Sequence, residues 1–135
     1  MKIILDTNVL VSALWNPHGP PAKVLLLVAE GRVQPVHSST ILAEYRDVLT
    51  RPRFGFNPAR VTQILDYFQL VGVGVTGKSS GRRLPDLTDL PFLDAALEGR
   101  ETRIVTGNLK DFPVKACLPV KPVGPAEFLA EFLRI

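Results

Sequence analysis

Apolar and polar positions along the chain switch repeatedly between a strand-like and a helix-like period, and the switches mark out its elements. Lys2–Leu5 is a short apolar run that stops at Asp6, Thr7 and Asn8, which predicts a buried strand ending in a turn. From Val9 to Trp15 apolar residues recur at helical spacing and stop before Asn16-Pro17. Pro20-Pro21 open a second helix over Ala22–Glu30, closed by Gly31. Val33–His37 alternates as a strand does, and Ser38, Ser39 and Thr40 offer caps for a helix reaching Thr50. Arg51-Pro52-Arg53 breaks that helix. The period resumes over Pro58–Leu70, with Val61, Ile64, Leu65 and Phe68 on one face. Val71–Thr76 reads as a strand weakened by Gly72 and Gly74, and 77–89 as a loop. A helix over Pro91–Gly99 follows, then strands at Arg103–Thr106 and Val120–Val123. A last helix opens at Pro125 with Phe128, Leu129 and Phe132 facing inward.

Strands alternating with helices predict a single α/β domain over residues 1–135 with a mostly parallel sheet. In such folds ligands occupy the crevice beyond the carboxyl ends of the strands. The residues just after each strand are therefore the ones to inspect. Composition adds limits. With 46% hydrophobic and 21% charged residues the chain is ordinary globular material. Its one cysteine, Cys117, excludes an internal disulfide and a cysteine-cluster metal site. The start, MKIILDTN, is too short and too soon acidic for a signal peptide, and Val24–Ala29 falls far below the ~18 apolar residues of a membrane span. A soluble, cytoplasmic protein with no membrane partner is the expectation. A net charge of +3 permits a phosphate-bearing partner without requiring one.

Carboxylates or carboxamides stand at several strand ends. Asp6 ends the first strand, where it could cap the next helix. Glu44 lies three residues after Ile41 and four before Val48, on the edge of the core-facing stripe that also holds Tyr45 and Leu49. Arg46 and Asp47 point to solvent. A carboxylate at that edge needs a partner, either an arginine or a metal ion. Asp89 could cap the helix after it, Asp86 could be surface, and Asp94 reads as exposed or paired with a basic residue. Gly107 and Asn108, with Asp111 beyond, fit a Gly-Asn turn. Each reading suffices alone, but together they leave several acids converging on one edge of the sheet. Such groups repel unless a cation neutralises them, and oxygen ligands with only His18 and His37 as histidines suit Mg²⁺ or Mn²⁺.

The blocks ILDTNVLVSAL, SSTILAEYRDVL, DLTDLPFLDAAL and IVTGNLKDFP, in this order and spacing, resemble PIN-domain ribonucleases. The pattern is similar to the toxin subunits of bacterial and archaeal VapC-like toxin–antitoxin pairs, from Lys2 to about Phe132. The resemblance implies a three-layer α/β/α sandwich and a metal-dependent ribonuclease directed at single-stranded RNA. It places the family's acids on Asp6, Glu44 and Asp89 as Mg²⁺ (or Mn²⁺) ligands, its polar residue on Asn8 and its hydroxyl on Thr106, the last two in supporting positions. Asn108 stands where many members have Asp, leaving Asp111 as the nearby carboxylate, and Leu87 and Thr88 interrupt an acid run that is often denser. One well-held ion is therefore expected. The implied reaction is hydrolysis, not transesterification through the RNA 2′-hydroxyl, with Asn108 or Asp111 orienting water or a second ion. Arg51, Arg53, Lys78, Arg82 and Arg83 are candidates for holding the RNA backbone.

Other classes fit less well. A signalling receiver domain needs an acid pair after the first strand and an acceptor Asp after the third, and a haloacid-dehalogenase-type phosphatase needs two aspartates flanking one residue. Asp6-Thr7-Asn8 supplies neither. A catalytically silent PIN-like RNA-binding or scaffold module is the alternative that Asn108 prompts. By resemblance, an antitoxin partner and a homodimer or higher homo-oligomer are expected. Independently of the resemblance, Trp15, with Val9, Leu10 and Leu14, loads a short helix with more apolar area than one face needs, which fits a partner surface or, the expected role of Trp15, core packing.

Overall fold

Five strands form one parallel sheet: β1 (Lys2–Leu5), β2 (Gln34–His37), β3 (Val73–Gly74), β4 (Thr102–Val105) and β5 (Pro122–Val123), in the spatial order β3-β2-β1-β4-β5. The structure is a computed structural model and describes residues 1–134. β1 lies in the middle, and Ile3, Ile4 and Leu5 are all buried. That explains its unbroken apolar run, because a central parallel strand is covered on both faces. All four residues of β1 pair with β4, from Lys2 opposite Thr102 to Leu5 opposite Val105. The two strands therefore end level with each other.

The described residues also form seven helices: α1 (Thr7–Trp15), α2 (Pro20–Ala29), α3 (Ser39–Leu49), α4 (Pro58–Val71), α5 (Leu90–Gly99), α6 (Val114–Cys117) and α7 (Pro125–Leu133). From β1 the chain steps outward through β2 to β3 with α1–α4 in the crossovers. It then returns past β1 to β4 and β5 with α5 and α6 in the crossovers. Right-handed crossovers running in opposite directions put these two sets of helices on opposite faces. α7 packs back against α2. The result is the expected α/β/α sandwich.

The core runs through both layers and includes Tyr45, Phe68, Phe92, Phe112 and Phe128. Tyr45 does more than fill space. Its hydroxyl donates to the Leu5 carbonyl at 2.6 Å, and its ring meets Phe68 edge-on with centroids 6.1 Å apart. This pins α3, and with it Glu44, to the end of β1.

Several elements differ from the sequence reading. α1 begins at Thr7, ahead of Val9. β3 is only two residues long, and just before it the chain runs close to β2 at Gly72, where a Cβ would lie 2.2 Å from the Pro35 carbonyl oxygen. β2 and β5 are each shorter than expected. α6 and the 3-10 turns at Pro52–Phe54, Leu87–Asp89 and Leu109–Asp111 are single turns, too short to show a period. Trp15 is not in the core; it is 62% exposed.

The 77–89 loop is tied down at its start. Glu98 accepts from the backbone amides of Thr76, Gly77 and Lys78 at 2.7–3.1 Å, and these bonds hold its carboxyl below the usual range. One turn earlier on α5, Asp94 is half-buried and accepts from the Ser80 amide at 3.0 Å, where the sequence suggests an exposed side chain or one paired with a basic residue. Glu98→Ala is expected to free this segment and to speed trypsin cleavage after Lys78 several-fold without loss of the fold, as measured by limited proteolysis.

Candidate active site

β1 and β4 are neighbours, yet the chain leaves them in opposite directions, which opens a crevice at their carboxyl ends. Asp6 sits there, 6% exposed, with its backbone amide bonded to the Val105 carbonyl at 2.9 Å. It occupies the cap position of α1 but its side chain makes no capping bond. Instead its carboxylate accepts from the Thr106 hydroxyl at 2.7 Å. Burial raises its pKa; bonds from the Thr106 hydroxyl and the Thr7 amide pull it down, and the charges of Glu44 and Asp111 push it up again, for a net rise. The long-range bond from Thr106, and not a capping bond to the amides further into α1, sets where this carboxylate points.

Glu44 is half-buried and accepts from the Thr7 hydroxyl. Among the described residues no arginine pairs with it: Arg46 donates to Thr62 at 3.2 Å and Arg51 to Asp47 at 3.0 Å. Thr7 was not legible as a site residue. Its only signal is a hydroxyl placed directly after Asp6, and its partner lies 37 positions away.

Asp89 departs further from the sequence reading. It ends a 3-10 turn just before α5 and, like Asp6, makes no capping bond. Capping falls to Asp86, which accepts from the Thr88 amide at 2.9 Å and the Thr88 hydroxyl at 2.7 Å. One carboxylate oxygen of Asp89, Oδ2, is buried with no hydrogen-bond partner. Burial, followed by the charges of Asp6, Asp86, Asp111 and Glu44, pushes its pKa up to about 7. Asp89 thus lies in the field of every strand-end acid that the sequence singled out.

The turn after β4 completes the wall. The Thr106 hydroxyl, fully buried, donates to Asp6 and accepts from the Asn108 amide at 3.0 Å. Asn108 in turn donates its side-chain amide to Asp111 Oδ2 at 2.8 Å, and the Gly107 amide donates to Asn8 Oδ1 at 3.3 Å. Asn8 and Thr106 therefore fasten the 106–111 turn to the end of β1. Asn108 and Asp111 come as a bonded pair.

Among the described residues no three acidic, histidine or cysteine side chains close around a single point tightly enough to hold an ion between them. Direct ligation by all of Asp6, Glu44 and Asp89 in this arrangement is thus not seen. The donor set nevertheless fits Mg²⁺ or Mn²⁺. Its ligands are all hard oxygens, they repel one another, and the unpartnered Asp89 Oδ2 is the kind of buried atom a cation satisfies. Mg²⁺ commonly keeps several waters and uses only one or two protein carboxylates. His37 is buried, its Nε2 is unpartnered, and desolvation lowers its pKa, so it adds no positive charge here.

A cleft of about 380 Å³ runs from Thr7, Asn8 and Glu44 to Arg53 and Phe54. Arg53 is exposed and stacks over the Phe54 ring at 4.8 Å. The other basic candidates are placed differently. Arg51 is engaged with Asp47. Arg82 is a strap inside the fold, donating to the carbonyls of Ala116 at 3.1 Å and Leu118 at 2.8 Å. Lys78 and Arg83 are exposed. A separate cleft of about 360 Å³ lies at the opposite end of the sheet, beside Thr102 and Arg103, and Glu101 is its only carboxylate.

Comparison with known proteins agrees with this architecture. An uncharacterised protein of Methanocaldococcus jannaschii is 31% identical over 143 aligned residues, spanning 98% of this chain and 92% of its own. Among solved structures, VapBC2 from Rickettsia felis, bound to a DNA fragment from its promoter, has a chain that superposes with a TM-score of 0.59 and 21% identity. The match covers 92% of this chain and 98% of that one. The family model for the PIN domain matches residues 2–110, which take in β1–β4 and every acid of the crevice except Asp111. The chain belongs to the PIN-domain family.

Proposed function

We propose that this chain is a divalent-metal-dependent ribonuclease that hydrolyses phosphodiester bonds in single-stranded RNA, and that it is the toxin of a toxin–antitoxin pair. PIN domains are generally nucleases that use divalent metals. The observation that carries the reading is Asp89, with a buried oxygen lacking a partner and a pKa near 7 imposed by burial and four neighbouring acids. Crowded, mutually repelling carboxylates with an unpartnered buried oxygen are what a divalent cation neutralises.

Asp6, Glu44 and Asp89 would hold the ion, in part through water. Once bound, a divalent cation supplies Lewis-acid activation of water and offsets charge on the reacting phosphate. The residues around it have defined tasks. Thr106 and Thr7 orient the Asp6 and Glu44 carboxylates. The Asn108–Asp111 pair faces the same crevice and is suited to orient a water. In the reaction a water oxygen bonds to phosphorus, one phosphodiester P–O bond breaks, and a proton passes from the water to the departing oxygen. Arg53 lies one cleft-length away, where a flanking phosphate would pass.

The toxin role rests on the likeness in fold to VapBC2, over 92% of this chain. It brings an antitoxin protein and a homodimer or higher homo-oligomer as proposed partners, and the cytoplasm as the proposed location. No helix among the described residues is long and apolar enough to cross a membrane. The direct test is incubation of the purified chain with labelled single-stranded RNA and Mn²⁺ or Mg²⁺. Cleavage that chelation abolishes and added ion restores is the expected result. Tight binding without cleavage under any divalent ion would instead mark a silent RNA-binding module.

A further inference from the structure

Three aromatic residues from two segments meet on the surface beside the acidic crevice. Trp15, the last residue of α1, approaches Phe54 and Phe56 with centroids 5.9 and 6.1 Å away and interplanar angles of 85° and 79°. Phe54 and Phe56 stack at 5.5 Å and 10°. Both phenylalanines are half-buried, but Trp15 is 62% exposed. The indole is therefore the ring of the cluster that is open to a ligand. Arg53, stacked on Phe54, adds a cation to the cluster.

The cluster is continuous with the site: Arg53 and Phe54 line the same cleft as Thr7, Asn8 and Glu44. We infer that the exposed indole of Trp15, braced edge-on by Phe54 and Phe56, is a base-stacking platform, with Arg53 for the adjoining phosphate, that holds single-stranded RNA a few nucleotides from the cleavage point. The inference rests on the nuclease reading and deepens it. A flat indole face near an exposed cation matches a strand with splayed bases and a charged backbone, and every base has a face to stack. A duplex hides those faces, so the platform would also account for a preference for single strands. An apolar peptide would use the rings and leave the Arg53 cation without an anion.

Trp15 is the only tryptophan in the chain, so its fluorescence reports on this platform alone. The experiment titrates the intact protein, in EDTA so that nothing is cut, with a ten-nucleotide single-stranded RNA and with inorganic polyphosphate as a control for charge. RNA is expected to quench the emission by at least half, and polyphosphate to leave it nearly unchanged. Trp15→Ala should weaken RNA binding about tenfold by anisotropy, while Trp15→Phe keeps most of the affinity. A thermal melt of Trp15→Ala within a few degrees of the parent would show that the loss is not one of folding. Equal quenching by both polyanions, or unchanged RNA affinity in Trp15→Ala, overturns the platform. So does an emission shift that follows protein concentration alone, which would mean that a second copy covers Trp15. Quenching without Mn²⁺-dependent cleavage would instead overturn the nuclease reading, and cleavage without quenching the platform.

Discussion

Asp6→Asn is expected to lower RNA cleavage at least about 100-fold while leaving the protein folded. Asparagine matches the shape of aspartate and still offers an oxygen to the Thr106 hydroxyl, which now donates to Asp6 at 2.7 Å. What it removes is negative charge at a position only 6% exposed. That charge is costly to the protein alone, since burial and the nearby Glu44 and Asp111 already raise the Asp6 pKa. The variant should therefore melt no lower than the parent in EDTA, and slightly higher is the natural outcome. Its loss should appear with the ion present, as weaker Mn²⁺ binding together with slower cleavage. Cleavage within a few-fold of the parent at saturating Mn²⁺ would sink the assignment of Asp6 as an ion-holding residue.

The pattern of failure in the sequence reading has a physical basis. The strand ends were legible because a buried parallel strand is an unbroken apolar run, and Asp6 visibly interrupts one. Glu44 was legible because its neighbours Ile41, Tyr45 and Leu49 fix the orientation of α3. Ser38 was a sound cap, and its hydroxyl does accept from the Ile41 amide at 3.2 Å. Asp6 and Asp89 looked like caps by the same rule, and neither is one. Both do stand at helix starts, but long-range partners decide where their oxygens turn. Thr106 lies 100 positions from Asp6, and no local window carries that information.

Trp15 and Arg82 make the same point on the surface. Periodicity places Trp15 among the core positions of α1, but it is the last residue of that helix and is exposed. Its partners, Phe54 and Phe56, follow the break at Arg51-Pro52, a stretch with no period to read. Arg82 lies in a basic loop, which makes it a candidate for holding the RNA backbone. The carbonyls of Ala116 and Leu118, at the end of a helix too short to anticipate, hold its guanidinium instead. Chemistry was legible where an element fixes direction, and illegible where two loops meet.

Asp89 gives the largest effect expected on stability. Its carboxyl titrates at about 7 in the folded chain, against about 4 in an unfolded one. Between those values the folded state holds the extra proton, so the contribution is fully present below pH 4 and is lost as pH rises through 7. Other groups titrate too. Asp86, Glu98 and Glu131 have lowered values, so their contributions are lost only at acid pH. His37, whose pKa is lowered, works against Asp89 because its stability term grows as pH rises toward its ordinary value near 6.5. The difference between parent and Asp89→Asn cancels these terms. In EDTA the variant should melt progressively higher than the parent from pH 5 to pH 8. The gap at pH 8 should reach roughly 3–6 °C, from about 1–2 kcal/mol once solvent screening of the half-exposed group is allowed for. Mn²⁺ should then raise the parent's melting temperature at pH 8 far more than at pH 5, because protons and the ion compete for one carboxylate. The variant should gain little at either pH. Parallel melting curves for the two proteins across this range would mean that Asp89 is not a strained carboxylate held in reserve for a cation.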